Sequence, residues 1–508
     1  MNVTPIVRWF MERRVKAADS WAQNAEDVQR AQLKAMLHAA RHTEWGQRYA
    51  FAELSSYEQY ASRLQVTPYD HLRPLVMRMM QGEKNLLWPG VITRYAQSSG
   101  TSDGKSKYIP ISNECLHHTH YRGASDVVAH YLHQHPDSRM FTGKGFILGG
   151  SFANELSHLP AEVKVGDLSA HLIERITPLA ELVRTPSKTT ALLADWKQKL
   201  PRLVNESSKS NITNLSGVPS WFLTVLRQIL ASTGASEIHE VWPNLEVFFH
   251  GGISFAPYRE QYDAIIDPSR MHYMETYNAS EGFFAIQDAP DSHAMLMLMD
   301  AGVFFEFIPV DQPQASPIPV WEVEKGKTYA LVITTCSGLW RYPLGDTVTV
   351  HSTHPVRITI AGRTKCYINA FGEEVMVHNT DAALAVACAK TGARVRDYTA
   401  APVFTAQKTK GRHEWLIEFD HQPRDLHEFA TILDRELQNV NSDYQAKRSG
   451  SIFLDPLTVV MAPPGLFEHW LASTGKLGGQ RKVPRLANDR HLIDPLLEMN
   501  KNHNQKYV

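Results

Sequence analysis

Cysteine is scarce in this chain. Cys115, Cys336, Cys366 and Cys388 are the only four in 508 residues, and no two stand as Cys-x-x-Cys. That spacing excludes a dense disulfide framework and suits reduced packing residues in a cytoplasmic protein. Charge of one sign is lacking as well: the formal net charge is −1. Nothing therefore points to a polyanion, and no nucleic-acid partner is expected. No apolar run approaches the ~20 residues that span a bilayer, so no membrane partner is expected either. Met1 to Lys16 carries Arg8, Glu12, Arg13 and Arg14 without an apolar segment, which does not read as an export signal. Internal repeats and low-complexity tracts are absent. What is present is ordinary for a globular protein, 43% hydrophobic and 21% charged. The length calls for two or three domains.

The element pattern is mixed. Apolar spacing through Ile6, Trp9, Phe10, Leu33 and Leu37 predicts helix over much of residues 5–50, and Tyr57 to Arg63 reads as another. Ser112 is placed to cap a helix over 113–133. The histidines of that helix, His117, His118, His120, His130 and His133, lack carboxylate or cysteine partners at ligand spacing and read as core or solvated residues. Strands are expected at 146–150, 245–249, 271–276 and 329–335, with a mainly helical stretch over 169–230. The Asp300-Ala301-Gly302 turn predicts a hairpin of 294–299 with 303–308, and 356–368 reads as another hairpin. The last 140 or so residues suit a small α+β domain.

The stretch with the most chemistry is Gln97-Ser-Ser-Gly-Thr-Ser-Asp-Gly-Lys-Ser-Lys107. It lies between two extended pieces, Val91 to Ala96 and Tyr108 to Ile111. Glycines let backbone N–H groups approach a phosphate, hydroxyls donate, and lysines neutralise charge. Only Thr101, Ser102 and Asp103 separate Gly100 from Gly104, and a strand follows, so this is not a Walker A loop.

Four pieces in chain order resemble one family: Ser98 to Lys105, Tyr277-Asn278-Ala279-Ser280-Glu281, Arg341-Tyr342-Pro343-Leu344-Gly345-Asp346, and Ile368 to Glu374. Gln480-Arg-Lys-Val-Pro-Arg485 resembles the family's C-terminal stretch. The family is the acyl acid–amido synthetases of plant hormone conjugation (Gretchen Hagen family), within the adenylate-forming enzymes, and the resemblance reads as a bacterial member. It runs from about Tyr95 to the C-terminus and is poor over 155–240. Ala279 stands where the family commonly has serine.

The resemblance implies a large N-terminal α/β domain over 1–362 that binds ATP and the acyl substrate. It implies a hinge at 363–365 and a smaller mobile C-terminal α+β lid over 366–508. The implied reaction adenylates a small carboxylic acid with ATP and Mg²⁺ and passes the acyl group to an amino acid. Ser98, Ser99, Gly100, Thr101 and Ser102 would hold phosphates, with Lys105 and Lys107 either point charges or solvated lysines. Tyr277 would stack on adenine, Ser280 would touch the α-phosphate, Glu281 would bind the metal and Asp346 the ribose. Gly251-Gly252 would run beside adenine or form a plain turn. Arg363, at the hinge, would also bind the nucleotide. Lys482 would reach the transferring phosphate, with Lys476 its competitor. Catalysis would rest on Lys482, Ser280 and Thr101. An acyl-CoA ligase and a non-catalytic nucleotide sensor are the alternatives. A monomer or weak dimer is expected.

Overall fold

The protein is described here from a computed structural model. It describes all residues except 1, 99–106, 153, 155, 157, 253–254, 256–257, 290–291, 364–366, 405–409, 452, 474–482 and 506–508. The chain divides into two units, the larger built on Met1–Ser98, Lys107–Phe255 and Tyr262–Thr364 and the smaller on Ser99–Ser106, Ala256–Gln261 and Lys365–Val508. The expected class, a large mixed α/β N-terminal part and a smaller C-terminal part, is the one found.

In the large unit, β1 (Arg94–Ser98) and β2 (Lys107–Pro110) are antiparallel neighbours, and β4 (Lys164–Gly166) runs parallel to β1. Ser98 pairs with Lys107, so two strands do flank the glycine- and hydroxyl-rich loop. A second sheet has twelve strands. Its parallel part comprises β3 (Lys144–Ile147), β5 (Arg184–Thr185), β6 (Ile212–Gly217), β7 (Val247–Gly251) and β8 (His272–Ala279). Their order is β5-β3-β6-β7-β8, so the chain goes to one side of β3 and returns on the other. Open α/β sheets place ligands outside the carboxyl ends of such strands. Gly251 and the Ala279 end of β8 share that edge.

The antiparallel part holds β9 (Gly282–Ile286), β10 (Met295–Met297), β11 (Val303–Pro309), β12 (Ile318–Pro319), β13 (Thr328–Thr335), β14 (Tyr342–Thr353) and β15 (Val356–Arg363). Two expected hairpins are replaced here. β10 pairs with β9 and β15, and β11 with β12 and β13, so 294–299 and 303–308 do not pair. The turn between them is held by the N-terminal helices instead. Arg14 on helix Thr4–Gln23 binds Asp300, and the buried Gln29 on helix Ala25–Ala40 donates to the carbonyls of Met299 and Val303. Likewise β15 pairs with β14 across Thr353 and Val356, so the hairpin is 342–363 and not 356–368. The helical expectation for 169–230 missed β5 and β6.

Tyr57–Arg63 is a helix, capped by Ser56. Ser112 caps as expected, its Oγ accepting from Cys115 N at 2.9 Å. The helix then passes through a π-helical turn, Leu116–Tyr121, into Arg122–Gln134.

The smaller unit packs helices Val377–Thr391 and Leu426–Val440 on a three-stranded sheet of Arg394–Phe404, Gly411–His421 and Thr458–Ala462. Glu373, from the Ile368–Glu374 stretch, is fully buried and meets His413 Nε2 at 2.8 Å. Its other oxygen accepts from Phe371 N at 2.6 Å. That acid holds the fold of this unit.

Candidate functional site

β8 ends at Ala279, the chain turns at Ser280–Glu281, and β9 starts at Gly282, with Ala279 paired to Gly282. The reversal needed at Ser280 is therefore a tight hairpin. It leaves Ser280 half-buried at the apex and Glu281 buried beside it.

Two contacts join this hairpin to β14. Tyr277 Oη donates to Asp346 Oδ2 at 2.7 Å, and Tyr342 Oη donates to Glu281 Oε1 at 3.2 Å. In sheet order β8 and β14 are four places apart. A flat sheet would separate them by about 19 Å at ~4.8 Å per strand, beyond the span of a tyrosine. The sheet must therefore curl, and β14 carries register shifts at Thr347/Val348 and Val350/Ser352 where bulges bend a strand. Lys107, the residue after the loop, completes the group. Its Nζ donates to Tyr342 Oη at 2.8 Å and lies over the Tyr342 and Tyr69 rings. Three stretches far apart in sequence thus meet through Lys107, Tyr277, Glu281, Tyr342 and Asp346.

Tyr277 is 4% exposed, with Phe284 edge-on at 5.0 Å. A ring this covered has little face to offer adenine, and the role its geometry supports is to aim Asp346. Gly251 and Gly252 have local reasons of their own. A Cβ on Gly251 would lie 2.4 Å from Thr276 O, and Gly252 has φ +83°, where glycine is favoured. Arg363 is opposite Asp346 in the β14–β15 register. Ser98 closes β1. Ser99, Gly100, Thr101, Ser102, Lys105, the hinge residues 364–365, Lys476 and Lys482 lie outside the described residues. Close to Lys482 in sequence, Arg485 binds Asp381 at 2.8 Å and lies over Tyr398.

Sequence reasoning gave Tyr342 no role, although it lies inside a quoted motif and links Lys107 to Glu281. Arg341 was also passed over. It has φ +44° and is buried. Its guanidinium binds Glu306 at 2.7 Å and the carbonyls of Ala61 and Leu64, tying helix Tyr57–Arg63 to the sheet. Burial pushes the Glu306 carboxyl up, and Arg341 opposes this. Among the described residues no three His, Cys, Asp or Glu could hold a metal. A Mg²⁺–nucleotide needs only one or two protein carboxylates, because phosphates and waters fill the other positions. Glu281 is one carboxylate in this group. Among the described residues no helix is long and apolar enough to cross a membrane.

Several known proteins are similar to this chain over nearly its whole length. The Arabidopsis thaliana indole-3-acetic acid-amido synthetase GH3.3 is 22% identical, over 96% of this chain and 93% of its own. The jasmonoyl–L-amino acid synthetase GH3.5 of Oryza sativa subsp. japonica is 23% identical, over 94% and 95%. These relatives are plant proteins and give no support to a bacterial origin. A solved acyl acid amido synthetase, AtGH3.15 with 2,4-DB, superposes with TM-score 0.62 at 18% identity, covering 96% of each chain. A 2-hydroxyisobutyryl-CoA ligase with 2-HIB-AMP and CoA superposes with TM-score 0.56 at 14% identity, covering 94% and 92%. The GH3 family N-terminal domain matches residues 14–271, its central domain 296–363 and its C-terminal domain 378–491, so this chain belongs to the GH3 family.

Proposed function

We propose that this protein is an ATP- and Mg²⁺-dependent ligase that joins a small carboxylic acid to an amino acid. A carboxylate does not react with an amine at neutral pH, because hydroxide leaves poorly. Attack of the carboxylate on the α-phosphate of ATP expels pyrophosphate and gives an acyl adenylate. Attack by the amine then expels AMP. No covalent enzyme nucleophile is needed, and the protein's part is to position groups and to stabilise charge.

Asp346, aimed by Tyr277, accepts from the ribose hydroxyls. Glu281 holds Mg²⁺, which supplies charge neutralisation at the phosphates. Ser280 donates to the α-phosphate, and Ser98, Ser99, Gly100, Thr101 and Ser102 cradle the other two. Lys482 supplies a cation at the transferring phosphate. Residues 363–365 act as a hinge between adenylation and amide formation. The compartment is the cytoplasm. The observation that supports this reading is the pair of contacts Tyr277–Asp346 and Tyr342–Glu281, which joins the 277–281 stretch to the 342–346 stretch.

The test is ATP–pyrophosphate exchange over a panel of carboxylic acids. Acid-dependent exchange supports the reading, and no exchange with any acid favours a nucleotide sensor. Glu281→Gln should raise the Mg²⁺ concentration for half-maximal exchange, and an unchanged dependence would remove Glu281 from the metal. A thiol acceptor is the second reading, favoured by the fold shared with the CoA ligase. Product mass after incubation with amino acids or with coenzyme A separates the two.

A further inference from the structure

One acidic side chain on β8 takes no part in that chemistry. Glu275 stands two residues before Tyr277. Residues two apart on a strand share a face. β8 keeps its register with β9 through Thr276 and Tyr277, so Glu275 and Tyr277 lie on the same side of the sheet. On its other flank Glu275 is in register with His250 of β7, and Tyr273 with Phe248. Ring contacts show that these residues share a face too. The His250 ring lies 5.4 Å from Phe248, 6.3 Å from Tyr273 and 4.4 Å from Phe255, and Phe255 lies 4.8 Å from Tyr273. The opposite face is covered by helix Arg122–Gln134, whose Tyr131 meets Phe249 and His272. Glu275 is thus an acid on a largely aromatic wall.

That wall is close to the rim. β7 ends at Gly251, one residue after His250, so the His250–Glu275 row is next to last in the pairing of β7 with β8. Open α/β sheets take their ligands at this edge. β8 runs on past it. The four steps from Glu275 to Ala279 cover about 13 Å, along the strand that leads to Ser280.

The backbone of Glu275 is engaged by one partner. Its N donates to Gln287 Oε1 at 2.9 Å, and its O accepts from Gln287 N at 2.8 Å. The carboxylate is left over. It is half-buried, and among the described residues no hydrogen bond or ion pair reaches it. Burial pushes the carboxyl up, and the exposed His293 opposes this. A carboxylate kept partly out of water without a partner costs free energy, which a donor on a ligand would recover.

Resting on the ligase reading above, we propose that Glu275 selects the acid substrate. Its carboxylate accepts a hydrogen bond from an O–H or N–H group at the end of an aryl carboxylic acid remote from the carboxyl group that reacts. The ring of that acid lies against Phe255 and Tyr273, both half-buried, and its carboxyl end extends up β8 toward Ser280. An acid without the donor leaves Glu275 desolvated and unpaired, and the site discriminates against it for that reason. Glu275 meets the substrate far from the reacting atoms, so it sets specificity and takes no step in catalysis.

The test uses the full chain and matched acids: benzoic, phenylacetic and 3-phenylpropanoic acid, each with its 4-hydroxy and 4-aminomethyl form. Binding by calorimetry and acid-dependent pyrophosphate exchange are read for each. At least one donor-bearing acid should bind about 10- to 100-fold more tightly than its parent, the range for a hydrogen bond to a charged group. Its kcat/KM in exchange should be favoured by a like factor. Glu275→Leu should bring both ratios close to one. Glu275→Gln should keep the preference for a hydroxyl, which an amide oxygen still accepts, and lose it for an aminomethyl group, which needs the charge. Glu275→Leu also removes a desolvated carboxylate, so it should unfold at no lower temperature than the wild type. An acid with a merely structural role would lower the midpoint and weaken every acid alike. A binding preference without exchange would sink the adenylation reading and leave Glu275 in its role. Equal binding of donor-bearing and plain acids, binding of none of them, or a preference that survives Glu275→Leu would overturn the proposal.

Discussion

Around Arg341 the protein is closed. The guanidinium meets Glu306, Tyr57 reaches the same carboxylate at 3.1 Å, and the remaining donors go to carbonyls at the end of a helix. Five residues on, Asp346 meets one phenol from a strand that is not its neighbour, in the group that also holds Lys107, Tyr342 and Glu281. One short motif thus feeds two environments. The first has its polar partners within the fold. The second gathers a carboxylate pair and a cation from three separated stretches, the group to which the proposed function assigns the nucleotide. A motif read from sequence therefore marks where chemistry and scaffold meet, and substitution can tell its residues apart.

The largest effect is expected at the closed end. Arg341→Ala leaves Glu306 buried and unpaired. Breaking a buried pair on one side costs about 3–5 kcal/mol. Thermal unfolding of the large unit should move to markedly lower temperature. Arg341→Met combined with Glu306→Gln should recover much of the loss, since neither partner is then charged. If Arg341→Ala unfolds normally and instead loses only exchange activity, the two environments have been assigned the wrong way round.

Asp346→Ala should do the reverse. Losing one positioned stabilising group costs about 10²–10³ in rate, or roughly 2.7–4 kcal/mol. Acid-dependent pyrophosphate exchange should fall by that factor while the unfolding midpoint changes little. Near-normal exchange would remove Asp346 from the site.

How much of this was legible in sequence follows from distance along the chain. The Ser112 cap, the Tyr57–Arg63 helix and the strands around the 99–106 loop are set by residues a few positions apart, and were read. The Asp300–Gly302 turn looked like a hairpin for the same local reason. Asp300 is instead claimed by Arg14, and the flanking carbonyls of Met299 and Val303 by Gln29, about 270 to 290 positions away. Strand β6 was lost among helical neighbours because six residues give little periodicity. The motifs named Glu281 and Asp346, since carboxylates advertise chemistry. They did not name Tyr342 or Arg341, whose meaning lies in partners that only folding supplies.

Acid offers a break aimed at the scaffold alone. His171, on helix Leu168–Arg175, is fully buried with Nε2 3.0 Å from Tyr95 O. Burial pushes its imidazole down to about 4. The folded value lies below the unfolded value of about 6.5. As pH falls, the unfolded chain takes up the proton first. Stability is therefore full above about pH 6.5 and is lost between there and about pH 4, with roughly 2 kcal/mol gone at pH 5. Burial moves His130, His135, His239 and His272 the same way. His171→Gln should flatten the dependence of the unfolding midpoint on pH. An unaltered slope would show that His171 titrates alike in the folded and unfolded protein.

The smallest expected effect is the sharpest on the comparison. Tyr277 touches Asp346 only through its hydroxyl, and its ring packs in the core. Tyr277→Phe keeps the ring and removes the aim. A neutral donor to a carboxylate is worth about 1.5 kcal/mol, near tenfold. If Tyr277 acts through Asp346, exchange should fall about tenfold in the wild-type background and hardly at all in Asp346→Ala, where nothing is left to aim. Stability should stay within about 1 kcal/mol, because the ring keeps its packing and a single hydrogen bond is lost. A tenfold loss in both backgrounds would give Tyr277 a contact of its own with the nucleotide. Stacking on adenine would then return as its role, and Tyr277 would need a more exposed ring face in the ligand-bound protein than the 4% seen here.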